Sequence, residues 1–284
     1  MNNTFNFNRF CKVVSLDVKR YIIQFGLTFL ILCAMPIVLW LLTLVFGFTM
    51  PRIARFGVAY IAVFLSAILV PAKAFGHVNL QREGVSFAML PASSLEKFLS
   101  IAILCILTPV LVMACSYVVD SLLVLLPFGG FDGFISGGFF KTMEDFLNGL
   151  MAGTDALDEA NAIAKMNVLE MFEGLASSEE FYLSISMFFI VGLFLLGNSL
   201  FKTHKTAKTF AVMLGVSYAV SMIMQTILLS GGYMTNLQNI ADEMDFSLFI
   251  SVMRKIFVTQ EIIYSLITLG LFVGTFFKVK NQKY

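Results

Sequence analysis

Six separate stretches of this chain are long and apolar enough to cross a lipid bilayer, and no other feature constrains its fold as much. They cover residues 21–48, 56–72, 98–126, 181–201, 209–229 and 256–277. About 17–25 apolar residues in helical form span a hydrocarbon core of ~30 Å. With no water in that core, each backbone N–H and C=O must bond within its own segment. The expected fold is therefore all-α: a polytopic membrane protein of six transmembrane helices. The composition agrees, with 58% hydrophobic and 13% charged residues, against about 45–50% and ~25% in soluble domains. A first run of this length exceeds the ~7–15 apolar residues of a cleaved signal peptide. Pro36 and Pro109 lie inside the first and third runs, where each removes a backbone donor and should kink its helix.

The distribution of positive charge sets the orientation. Arg9, Lys12, Lys19 and Arg20 precede the first run. Lys73, Arg82 and Lys97 lie between the second and third. Lys202, Lys205 and Lys208 lie between the fourth and fifth, and Lys278, Lys280 and Lys283 follow the sixth. With six spans these four groups fall on one side, and excess Lys and Arg mark the cytoplasmic side. Both termini are then cytoplasmic. Arg55 and Lys73, at the ends of the short second run, are expected to snorkel to opposite interfaces.

Four regions follow. Residues 1–20 carry Phe7, Phe10, Val14 and Tyr21 at helical spacing among basic residues. They read as an amphipathic helix on the inner leaflet or as a frayed terminus with stop-transfer charges. Residues 21–126 hold spans one to three, with a cytoplasmic loop at 73–97. Residues 127–180 form an extracytoplasmic loop with two amphipathic helical stripes. Their polar faces carry Glu144, Asp145, Asp155, Asp158, Glu159, Glu170 and Glu173, a solvated acidic cap with no calcium-loop motif. Residues 181–284 hold spans four to six, and 239–255 read as a short outer helix before the last span.

No catalytic set emerges. His77 and His204 lie far apart and outside any zinc-ligand spacing. Cys11, Cys33, Cys105 and Cys115 have neither metal spacing nor a disulfide framework, so no metal or cofactor is expected. GLFLLGNS (192–199) imitates a phosphate-binding loop but lacks its lysine and lies inside a span. Gly270 and Gly274 have the spacing that lets membrane helices approach closely, within the chain or across a dimer seam. Asp120, Glu261 and Gln225, with Ser221, are candidates for polar lining of a path through the spans. For the two acids the alternative is solvation at the outer interface, or pairing with Arg254 or Lys255.

The stretch QREGVSFAMLPASSLEKFL (81–99) resembles the cytoplasmic loop of ABC exporter permeases of the type-2 (type V) superfamily. There an Arg-Glu-x-Gly-Thr stretch, an apolar turn and Leu-Pro-x-Ser precede the third span. FKTHKTAKTF (201–210) and FFKVKNQKY (276–284) also look like the Bacteroidetes-like branch of that family. The resemblance implies a permease subunit in a bacterial inner membrane, multi-pass with both ends inside. It implies a homodimer or heterodimer of permeases working with a separate ABC ATPase subunit, with no nucleic acid partner. ATP hydrolysis would belong to that other chain, so this one is not expected to be an enzyme. Residues 73–97 would form the coupling loop. Its contact residues would be Gln81, Arg82, Glu83, Gly84, Pro91, Ser93, Glu96 and Lys97. Arg82 and Glu83 would offer charge to the ATPase, and Pro91 would end the extended link. Ser93 or Ser94 would cap a helix starting near Leu95, with Glu96 and Lys97 in its first turn. The rival reading is a membrane scaffold that binds partners through the acidic cap.

Overall fold

A computed structural model describes residues 5–74, 89–126, 130–131, 133–135, 184–201, 203–230 and 246–281. The described residues form seven helices: α1 (Phe7–Cys33), α2 (Met35–Phe46), α3 (Arg52–Ala74), α4 (Ser94–Val124), α5 (Ser184–Leu200), α6 (Lys205–Ser230) and α7 (Phe246–Lys280). The one extended pairing among them is an isolated bridge between Met50 and Phe131. Five stretches are long and apolar enough to cross a membrane: Phe7–Phe46, Arg52–Lys73, Ser94–Val124, Lys205–Thr226 and Arg254–Lys280. Ser184–Leu200 is a shorter apolar helix. The chain is an all-helical membrane protein. Gln81, Arg82, Glu83 and Gly84, the acidic stripes of 127–180 and residues 239–245 lie outside the described residues.

The amino-terminal region differs from expectation. The amphipathic stretch does not end near residue 20. It continues as one helix to Cys33, because no proline interrupts 7–33 and the Asn6 side chain caps its start by accepting from the Asn8 and Arg9 N–H groups. The break comes at Ala34, with Pro36 in the first turn of α2, where a missing N–H costs nothing. At Pro109 no break occurs in the helical assignment: α4 runs through it as one 31-residue helix. At its other end the chain also joins what the sequence separated. Residues 246–255 form no separate outer helix but the first turns of α7.

α4 is the axis of the bundle and packs against α1, α2, α3 and α7. Small and hydroxylic residues mark its buried side: Ser100, Cys105, Thr108, Val112 and Ser116. In lipid, where burying apolar surface gives no net gain, close approach through such residues holds helices together. Phe25, Leu32, Ala62, Ala67 and Val70 close on this side. A second cluster joins α5 to α3, α6 and α7 through Phe189, Phe194, Ile68, Met213 and Leu271.

The glycines of the 192–199 motif serve packing. A Cβ at Gly197 would collide with the buried Thr209 side chain of α6, and one at Gly192 would stand 3.3 Å from Phe272 of α7. Of the last-span pair, Gly274 faces Leu196 of α5, whereas Gly270 has no atom within 4 Å of its Cβ direction. Gly197→Ala is therefore expected to cost about 1–3 kcal/mol through overpacking. Gly270→Ala should be neutral or slightly stabilising, by up to about 1 kcal/mol of helix propensity. Thermal unfolding of the two variants in detergent checks the contrast. Equal melting temperatures would show that α5 and α6 are not in close contact at Gly197.

Candidate functional site

Local rules position the start of α4. In the sequence Ser93-x-x-Glu96 the serine hydroxyl accepts from the Glu96 N–H at 3.2 Å, and Glu96 Oε2 accepts from the Ser93 N–H at 2.9 Å. This reciprocal capping box stops the helix from fraying at its start. The expected cap is thus present, at Ser93. At about 1.5 Å per residue α4 is roughly 46 Å long, more than a ~30 Å core needs. Its first polar turn, Ser94 to Lys97, lies ahead of the apolar run that begins at Phe98.

Tertiary structure then adds a partner from far away in the chain. Arg9 on α1 sets its guanidinium against Glu96 as a fork, with Nε donating to Oε2 at 2.8 Å and Nη2 to Oε1 at 2.7 Å. The Asn6 backbone N–H donates to Oε1 at 2.8 Å. Each carboxylate oxygen therefore accepts two hydrogen bonds, and the side chain is fully buried. The Arg9 hydrogen bond, helped by the Asn6 and Ser93 N–H groups against the cost of burial, holds the Glu96 carboxyl down at about 2. One helical turn further along α4, the Ser100 hydroxyl donates to Asp17 Oδ2, a buried carboxylate of α1.

The other end of the same loop is tied to α1 as well. Lys73, in the last turn of α3, donates through Nζ to Thr28 Oγ1 at 2.9 Å and to the Gln24 carbonyl at 3.3 Å. Its ammonium lies 5.3 Å from the centre of the Phe25 ring. Lys73 thus bonds inward to α1, where the sequence suggested snorkelling. The end of α3, at Lys73, and the start of α4, at Glu96, are thus both fastened to one helix. Those points lie about 22 Å apart along α1, measured from Arg9 to Gln24 at ~1.5 Å per residue. Around the Glu96 clamp, Phe5, Phe7, Met89, Pro91 and Leu95 are exposed, while Lys97 is buried.

A second polar knot closes the opposite end of α4. Arg55, expected to snorkel outward, instead turns in and donates through Nη1 to Asp120 Oδ1 at 3.1 Å and Oδ2 at 3.0 Å. Both side chains are buried. Its Nη2 donates to the Gly133 carbonyl, and the guanidinium lies 4.6 Å from the centre of the Phe131 ring. This corrects the assignment of Asp120 to interfacial water, Arg254 or Lys255. The planar guanidinium satisfies a carboxylate, a carbonyl and an aromatic face together, which makes an inward rotamer favourable. Gly133 is in the left-handed region at φ +65°, and a Cβ at Gly130 would collide with the Phe48 carbonyl. The 130–133 segment can therefore lie against the α2–α3 connection only with glycine at these positions.

The remaining lining candidates have different surroundings. Gln225 and Ser221 are exposed on α6. Glu261 is buried, and its Oε1 has no hydrogen-bond partner among the described residues. Sequence reasoning found Ser93 and Glu96 through the capping signature. It missed Arg9 and Asp17 as structural residues, because charges between apolar positions read as a solvated face. A sharper signal was available: Arg9, Val13, Asp17, Tyr21 and Phe25 recur every four residues, the spacing of one continuous helix face. No metal-holding group of His, Cys, Asp or Glu occurs among the described residues. No protein-family model matches the chain, and no curated protein and no solved structure matches it.

Proposed function

We propose that the chain is the permease subunit of an ATP-driven exporter, with six spans, both termini in the cytoplasm and the 73–97 loop receiving a separate ATPase subunit. The observation that carries this reading is the double anchorage of the loop on α1. A connection that merely joined two spans would need no such fastening. Here a force applied to the loop enters α1 through Lys73 at one end and Glu96 at the other, and α1 is continuous into the span-forming region. The exposed apolar side chains around the clamp supply surface for a partner. The basic residues at this end keep it on the cytoplasmic side, where ATP is. In the cycle, closure of the ATPase dimer pushes the loop, α1 and α4 move together, and the path through the spans alternates between the two faces of the membrane.

The test purifies the full chain from its native membrane and probes for a retained ABC ATPase. Arg82→Glu combined with Glu83→Lys should leave the folded permease at its normal level and abolish ATP-dependent export together with co-purification of the ATPase. Full export by the double variant would overturn the coupling assignment. Failure of the unaltered chain to retain any ATPase would favour a scaffold instead.

A further inference from the structure

Beneath the Arg55–Asp120 knot, α3, α4 and α5 enclose a cavity of about 610 Å³. We propose that it holds one acyl chain of a bilayer phospholipid, entering sideways from the leaflet at the Arg52 end of α3. This inference depends on the membrane placement of the helices and not on the transport reading.

Four observations converge. The size fits a single chain. A ~150 Å³ apolar cavity holds one benzene, so on that scale the space accommodates on the order of 20 carbon atoms, one acyl chain and not two. The depth fits one leaflet. The α3 lining runs from Phe56 to Ala67, about 16 Å at ~1.5 Å per residue, or half of a ~30 Å core. The lining is graded. Tyr60, Tyr117 and Ser184 place hydroxyl groups toward the Arg55 end, whereas the deep end is made by Ala67, Val110 and Ile190. No described lining residue is charged, so the occupant is an alkyl chain whose polar part stays at the hydroxyl end. Finally, the wall is open on one side. Val110 is 47% exposed and Ala114 is also exposed, so on α4 the cavity meets the hydrocarbon and not water. Met113 and Met187 add unbranched side chains that adapt to a flexible chain.

The experiment places the full-length protein in nanodiscs containing phosphatidylethanolamine with a photoactivatable diazirine at the end of one acyl chain. Labelled residues are mapped by mass spectrometry. Label should concentrate at the deep end, on Ala67, Met113 or Ile190, above the level on Leu266 and Leu269, which are exposed on α7. Ala114→Phe fills the mouth from its open side. By excluding the chain it should bring the deep-end label down to the level on Leu266, and leave Leu266 unaltered. Val110→Phe serves the same purpose if Ala114→Phe elutes as aggregate. A deep-end label no stronger than that on Leu266, or insensitive to both variants, would overturn the proposal. A parallel arm uses the free fatty acid bearing the same diazirine. Deep-end labelling by the acid alone would also overturn it, because the occupant would then be a detached amphiphile.

Discussion

Asp120→Ala should lower the unfolding free energy by about 3–5 kcal/mol, the usual cost of removing one partner from a buried ion pair. The loss arises less from the missing attraction than from what stays behind. Arg55 keeps its charge, because a guanidinium does not deprotonate at accessible pH, and its side chain is 1% exposed. The Gly133 carbonyl and the Phe131 ring stabilise it only in part. The neutral pair Arg55→Met with Asp120→Leu should recover stability to within about 1 kcal/mol of the natural chain, because well-packed apolar residues often replace a buried pair without loss. Denaturant titration of the purified protein in mixed micelles measures all three. A single variant as stable as the natural chain would show that the knot contributes nothing. A double variant no better than the single would show that packing, not charge, sets the cost.

Glu96→Ala should free the start of α1 from α4. The variant removes the acceptor of two Arg9 bonds and of the Asn6 and Ser93 N–H groups. Loss of a helix cap alone costs about 1 kcal/mol, and charge-assisted bonds add to it. Amide hydrogen exchange over residues 6–20 should therefore speed up by more than about ten-fold, the equivalent of ~1.4 kcal/mol. Protection in α3 should change little. Exchanging the charges, Arg9→Glu with Glu96→Arg, restores the ion pair but not the cap, so it should recover only part of the protection. Unchanged exchange in Glu96→Ala would mean that the two helices are held by their apolar residues alone. The same clamp has a defined response to acid. Its carboxyl lies at about 2, below the ordinary value of 4.5, so its contribution is complete above about pH 5 and declines as pH falls toward 2. Exchange at residues 6–20 should rise across that window in the natural chain. In Glu96→Ala this clamp-dependent rise should be missing.

Much of the candidate site was written locally. Ser93 and Glu96 stand three residues apart, so their mutual bonds follow from helix geometry wherever the chain goes. The helical class and the approximate extent of the long runs were equally legible, because hydrophobic length against bilayer thickness is a property of contiguous residues. The pairing of α1 with α4 was not legible, for a related reason. Charge was taken as a mark of exposure, whereas Arg9 and Asp17 are placed on the inner stripe of α1, facing α4. Pattern alone assigns a charged residue to water unless its partner is adjacent in sequence, and these partners are more than 80 residues away.

By itself the sequence determined that this chain lives in a membrane as helices and where α4 begins. Those outcomes depend on composition and on contacts between neighbours in the chain. The three-dimensional arrangement alone decided that Arg55 turns inward to Asp120, that the end of α3 and the start of α4 are both fastened to α1, and that three helices leave a graded apolar cavity between them. Each of these rests on groups distant in sequence. Their pairing is selected by the high cost of leaving a charge or a backbone group unsatisfied away from water, and that cost is settled only when the helices meet.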